Sequence, residues 1–138
     1  MQDSVIYITD LDLERLSTLL ANTGLYNRKD QEYFGKLEEE LDSAYVVSSQ
    51  DIPNDILTIN SRAQVRDLDS GKEIVLTLVL PVGANYEHGR VSILAPVGAA
   101  LFGRRIGDTV VCRVPGGVRR LKVERVFYQP EAAGDYHL

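Results

Sequence analysis

The chain has 138 residues, 44% of them apolar and 25% charged, with a net charge of −5 and a single cysteine. That length suits one domain, or one domain with a helical appendage, and is enough to bury an ordinary core. The composition is that of a soluble globular protein, no apolar run approaches the ~18–20 residues a membrane span needs, and one cysteine excludes an internal disulfide. The N-terminus lacks the basic and long apolar regions of a signal peptide, so a cytoplasmic protein is expected.

In chain order, residues 4–8 (SVIYI) read as a short extended segment. A helix is predicted to follow from TDLDLERLSTLLANTG. Thr9 or Asp10 can cap it, and Asp12 and Glu14 suit the positive end of its dipole. Leu13, Leu16, Leu19 and Leu20 share one face, and Asn22, Thr23 and Gly24 are stop signals. A second helix is predicted over about 30–45. Phe34, Leu37, Leu41 and Ala44/Tyr45 recur every three to four residues, and Glu38, Glu39, Glu40 and Asp42 surround the other side. Two amphipathic helices joined by TGLYNRK predict an antiparallel hairpin whose longer arm spans only roughly 25 Å.

Residues 48–57 (SSQDIPNDIL) read as a linker between an N-terminal unit, 1–47, and a C-terminal domain, 58–138. Beyond them the period changes to two. RAQVRDL, EIVLTLVLP, RVSIL, DTVVCRVP and VRRLKVERVFY are strand-like, with hairpin turns at DSGK (69–72) and PGG (115–117). PVGAALFG reads as a short helix opened by Pro96 and closed by Gly103. The expected fold class is α+β.

The spacing Gly98-x4-Gly103 invites comparison with a phosphate loop. The lysine and hydroxyl that such a loop needs are replaced by Arg104 and Arg105, and AALF between the glycines suits a helix face. His88 and His137 lack a second ligand at metal spacing, and Cys112 lies in an apolar strand and reads as core. No metal or cofactor is expected. Asp30 and Glu32, beside Tyr26, Arg28 and Lys29 at the hairpin tip, could complete a partner's metal site or simply serve the second helix's dipole. The favoured reading is the dipole.

Charge is unevenly distributed. Residues 1–50 hold ten acids and four bases (−6), and residues 51–138 hold ten acids and eleven bases (+1). Between positions 104 and 125, Arg104, Arg105, Arg113, Arg119, Arg120, Lys122 and Arg125 face only Asp108 and Glu124. Such a field can orient the chain on a large partner, but no interleaved aromatic platform accompanies it, so no sequence-specific DNA contact is expected.

Residues 90–128 resemble the C-terminal domain of the bacterial transcript-cleavage factors GreA and GreB. The matching positions are Val91-Ser92, Pro96, Ala100-Leu101, Gly103, Gly107-Asp108, Val110, Pro115-Gly116-Gly117, Val123, Val126 and Tyr128. With ITDLDLERL, LTINSRAQVRDL and the tail YQPEAAGDY, the whole chain is similar to a branch of that family known as regulators of nucleoside diphosphate kinase. The resemblance implies an FKBP-like antiparallel β-sheet domain with one short helix, carrying an N-terminal helical hairpin. It also implies binding to RNA polymerase at the secondary channel, with the rim contact falling on Leu94, Ala95 and Pro96 and extending to Val97. Gre proteins typically carry a polar residue and a serine where this chain has Leu94 and Ala95. The hairpin is shorter than a Gre hairpin and its tip does not reproduce the acidic Gre tip.

The reading is therefore a non-catalytic, monomeric regulator that occupies the channel, competes with Gre-type factors and does not stimulate cleavage. A regulator of nucleoside diphosphate kinase acting by another route is the alternative, although no residue pattern points to it. A prolyl isomerase is the weakest reading, because an aromatic-lined pocket is not expected from a chain with three phenylalanines and no tryptophan.

Overall fold

The computed structural model describes residues 6–21, 39–114 and 116–135. Within them the chain forms β1 (Tyr7–Thr9), α1 (Asp10–Leu20), β2 (Tyr45–Val47), β3 (Arg62–Asp67), β4 (Glu73–Val79), β5 (Arg90–Ser92), α2 (Pro96–Leu101), β6 (Thr109–Val114), β7 (Gly117–Tyr128) and α3 (Pro130–Ala133). The class is α+β, as the change of period predicts.

The five-stranded sheet has the order β5-β4-β3-β7-β6. It is mixed rather than antiparallel, which corrects the expectation: β5 runs parallel to β4, with Thr77 opposite Arg90. Residues 80–89 make this possible. They fold into two 3-10 turns, Pro81–Gly83 and Tyr86–His88, and return the chain alongside β4 in the same direction. The long strand β7 carries two register shifts against β3, at Arg62/Ala63 and at Gln64/Val65.

Alternation sets the two sheet faces. Ala63 and Val65 of β3, Leu76 and Leu78 of β4, and Leu121 and Val123 of β7 are buried on the inner face. Phe102 and Leu101, from the end of α2, close the same core together with Ile93 and Cys112. Cys112 is buried, as its apolar strand predicts.

The N-terminal unit belongs to that core. Thr9 caps α1, its hydroxyl accepting the Asp12 N–H at 3.0 Å. Leu16 is fully buried, and Leu13 and Leu19 pack against the core. Asp12 is not a surface partner of the helix dipole. It is 1% exposed, and its carboxylate accepts the Ile59 N–H at 3.1 Å, across 47 positions of sequence. Burial pushes its pKa up to about 6. Residues 48–57 are also more than a connector by burial: Ile52, Ile56 and Leu57 all belong to the interior.

The second predicted helix differs at its C-terminal end. Residues 39–42 are helical, but Tyr45–Val47 is a strand lying parallel to β1 in a two-stranded sheet. Backbone pairing with an already docked strand wins over helical periodicity here. The rest of the predicted hairpin, with Tyr26, Arg28, Lys29, Asp30 and Glu32 at its tip, lies outside the described residues.

Gly103 ties β1 to the segment that precedes β3. Its N–H donates to the Leu57 carbonyl at 2.8 Å, and its own carbonyl accepts the Tyr7 N–H at 3.1 Å. Its φ is +78°, and a Cβ there would lie 2.8 Å from Ile6 Cβ and 3.0 Å from the Tyr7 carbonyl oxygen. Gly103→Ala is expected to cost about 2 kcal/mol, from the left-handed backbone and the crowding together. Urea denaturation measures it, and a change within about 0.5 kcal/mol would show that the seam is plastic.

Candidate functional site

The loop from β5 into α2 is shaped by local chemistry. Ser92 is buried; its hydroxyl accepts the Leu94 N–H at 3.0 Å, and its carbonyl accepts the Ala95 N–H at 3.0 Å. Ala95 is extended, at φ −71° and ψ 155°, as a residue before proline prefers, and Pro96 starts the helix where no N–H partner is needed.

This geometry separates the four residues singled out from the sequence. Leu94 points into the core and is 6% exposed. Ala95, Pro96 and Val97 line an open hollow of about 520 Å3. Its other walls include Val65 and Leu121 of the inner face, Ile74 and Val75 of β4 and Tyr86, which the sequence alone does not single out, together with Val91. Ile74 is 40% exposed and Tyr86 68%, so the apolar lining continues onto the surface. Alternation marks Val65 and Leu121 as inward-facing, but only the register, Val65 opposite Ile74, brings them to α2.

One ion pair borders the hollow. Arg119 donates to Asp67 at 2.6 Å, and the guanidinium holds the Asp67 carboxyl below its ordinary value. The same carboxylate accepts the N–H groups of Asp69 and Ser70, which organises the 68–72 turn. An apolar hollow with a fixed charge pair at its rim can receive an apolar side chain and orient a polar neighbour beside it.

Four cations of the predicted basic stripe meet acids from other segments. Arg104 is 7% exposed and lies 3.8 Å from Glu40, at the seam with the N-terminal unit. Arg105 reaches Asp55 at 3.3 Å and stands over the Tyr7 ring at 5.0 Å. Arg120 pairs with Asp69 at 2.9 Å, holding that carboxyl down, while Lys122 sits on the outer sheet face near Glu124. Among the described residues, no group of three or more His, Cys, Asp or Glu could hold a metal ion, and His88 lies on a 3-10 turn. No helix among them is long and apolar enough to cross a membrane.

The family described as transcription elongation factor GreA/GreB, C-terminal, matches residues 52–128. A GreA from Syntrophomonas wolfei is 32% identical over 90 residues, which are 65% of this chain and 57% of that protein. A solved structure described as prokaryotic transcription elongation factor GreA/GreB from Nitrosomonas europaea is similar with a TM-score of 0.74. It is 38% identical and covers 91% of this chain and all of its own. The sheet and the loop into α2 thus define a GreA/GreB-type C-terminal domain, joined here to an N-terminal helix. The family described as the Rnk N-terminus matches residues 5–47, and the regulator of nucleoside diphosphate kinase of Escherichia coli is 42% identical over the whole of both chains. The chain belongs to this Rnk family of GreA/GreB-related proteins.

Proposed function

We propose that the chain is a cytoplasmic, non-catalytic regulator that binds RNA polymerase at the secondary channel as a single copy. In this reading the sheet domain is FKBP-like, and residues 10–20 and 39–42 are the ends of a helical hairpin directed into the channel. The observation that carries it is the apolar hollow at the start of α2, which coincides with the rim-contact positions Ala95, Pro96 and Val97. Burying one aliphatic side chain there contributes about 2 kcal/mol, and the Asp67–Arg119 pair supplies a polar contact at the rim. The protein competes with Gre-type factors by occupancy, and the hairpin tip leaves the polymerase's cleavage activity unstimulated.

Ile74→Glu and Val97→Glu place a charge in the hollow. Each is expected to weaken binding to core RNA polymerase at least tenfold, which is about 1.4 kcal/mol. Ile74 is already partly exposed, so its variant separates docking from folding. Unchanged affinity in both variants would move the docking face elsewhere. On a backtracked elongation complex the wild-type protein is expected to displace GreA without cleaving the transcript.

The name of the E. coli relative favours a second reading, a regulator of nucleoside diphosphate kinase by a route outside the channel. A pull-down of purified kinase by purified protein, with polymerase absent, tests it directly.

A further inference from the structure

The outer face of the sheet holds a second concavity, away from α2. Arg62 of β3 stands opposite Thr77 of β4, which stands opposite Arg90 of β5, while Tyr128 of β7 flanks Arg62 on the other side. Directly paired residues project to the same face, so these four side chains form one row across four strands. They line a single groove of about 680 Å3, with Asn60 at its end. The two arginines are two strand spacings apart, about 10 Å between backbones.

The charge in this row is uncompensated. Among the described residues neither the Arg90 nor the Arg62 guanidinium has a hydrogen-bond or ion-pair partner, and the Arg62 guanidinium lies over the Phe127 ring, 5.8 Å from its centroid. The register shift at Arg62/Ala63 leaves Phe127 without an opposite residue, so the ring stands beside this row. Elsewhere on the same face Arg66 is held by both Glu73 and Glu124. No carboxylate lines the groove. Asp135 accepts the Tyr128 hydroxyl, and that bond pushes the phenol up to about 12, so Tyr128 stays neutral.

Guanidinium groups recognise phosphate oxygens through paired N–H donors, and two of them flanking a threonine hydroxyl suit a ligand with more than one phosphate. The groove is larger than a diphosphate alone requires. Its remaining wall is apolar, formed by Val79, Leu80 and Val82, the last 96% exposed. We propose that this groove binds a nucleoside di- or triphosphate, with Arg62 and Arg90 on the phosphates and the Val82 side against the nucleoside. The site does not depend on polymerase docking, and free protein is sufficient to test it.

The test is calorimetric titration of the full chain with GDP, ADP, inorganic pyrophosphate and a single-stranded oligonucleotide. GDP and ADP are expected to bind saturably, and at least as tightly as pyrophosphate. Arg62→Ala and Arg90→Ala should each weaken binding at least about tenfold. Arg125→Ala, on the same face outside the groove, should change it less than about twofold. Both groove arginines are solvent-exposed, and unchanged thermal unfolding confirms that each variant folds. Absence of saturable nucleotide binding overturns the proposal. So does an equal loss in Arg125→Ala, which would indicate diffuse charge, and so does binding of the oligonucleotide alone.

Discussion

Gly98→Ala is expected to destabilise the fold by about 3 kcal/mol and to abolish docking through the α2 hollow. A Cβ at this position would lie 2.0 Å from the Ser92 carbonyl oxygen and 2.8 Å from its carbon. Both are backbone atoms, so no rotamer change relieves the clash. The Ser92 carbonyl also accepts the Ala95 N–H, and the Gly98 carbonyl accepts the Phe102 N–H at 3.0 Å, so moving either segment breaks local hydrogen bonds. Either α2 lifts away from β5 or the strand end bends. In both cases Ala95, Pro96 and Val97 leave the positions that shape the hollow. Urea denaturation together with a polymerase-binding measurement checks this. Near-wild-type stability with intact binding would mean that α2 can shift along β5 without consequence.

Asp12→Asn is expected to remove a pH dependence of about 3 kcal/mol. The Asp12 carboxyl is raised from 3.8 to about 6, chiefly by burial, with Glu131 adding to the rise. The Ile59 N–H and Arg15 act in the opposite direction, and Arg15 is 3.3 Å away. The folded protein therefore prefers the protonated acid. Its contribution to stability is fully present below about pH 4 and is lost as pH rises through about 6, at about 1.36 kcal/mol for each pH unit between those values. Asparagine can still accept the Ile59 N–H and carries no charge at any pH. The difference in unfolding free energy between variant and wild type should grow in the variant's favour from pH 4 to pH 8. A difference that is flat with pH would show that Asp12 titrates normally. Comparing the two proteins cancels the opposing contributions of Asp67, Asp69 and Glu124, whose carboxyls are all lowered by arginine partners.

Asp12 also shows where sequence reading stops. Its place in the first turn of α1 is legible, and so is Thr9 as the cap, because both follow from local spacing. Its burial is not legible, because the group that satisfies it, the Ile59 N–H, is 47 positions away. Glu131 behaves alike: it is 8% exposed and accepts the Thr58 hydroxyl at 2.7 Å, 73 positions distant. Neither acid carries a local signal that sets it apart from surface carboxylates such as Glu39.

The strands after residue 60 are legible because a period of two, with valine, leucine and isoleucine, has few other solutions. The direction of β5 is not, because three residues carry too little pattern to distinguish parallel from antiparallel pairing. Tyr45–Val47 reads as the end of a helix because Leu41 and Tyr45 are four apart; the neighbouring β1 decides otherwise.

The clearest division lies in the charges. By itself the sequence determined the family, the class of fold, the core strands and the proline-started helix, since each rests on contiguous residues. It also showed seven cations between positions 104 and 125 with two acids among them. Only the tertiary structure decided which of those cations are neutralised. Glu40, Asp55, Asp67 and Asp69 reach Arg104, Arg105, Arg119 and Arg120 from other segments. The same folding left Arg62 and Arg90, 28 positions apart in the chain, in one row with no acid between them. Electrostatic pairing depends on distance in space, and the sheet register, which no single segment specifies, sets that distance.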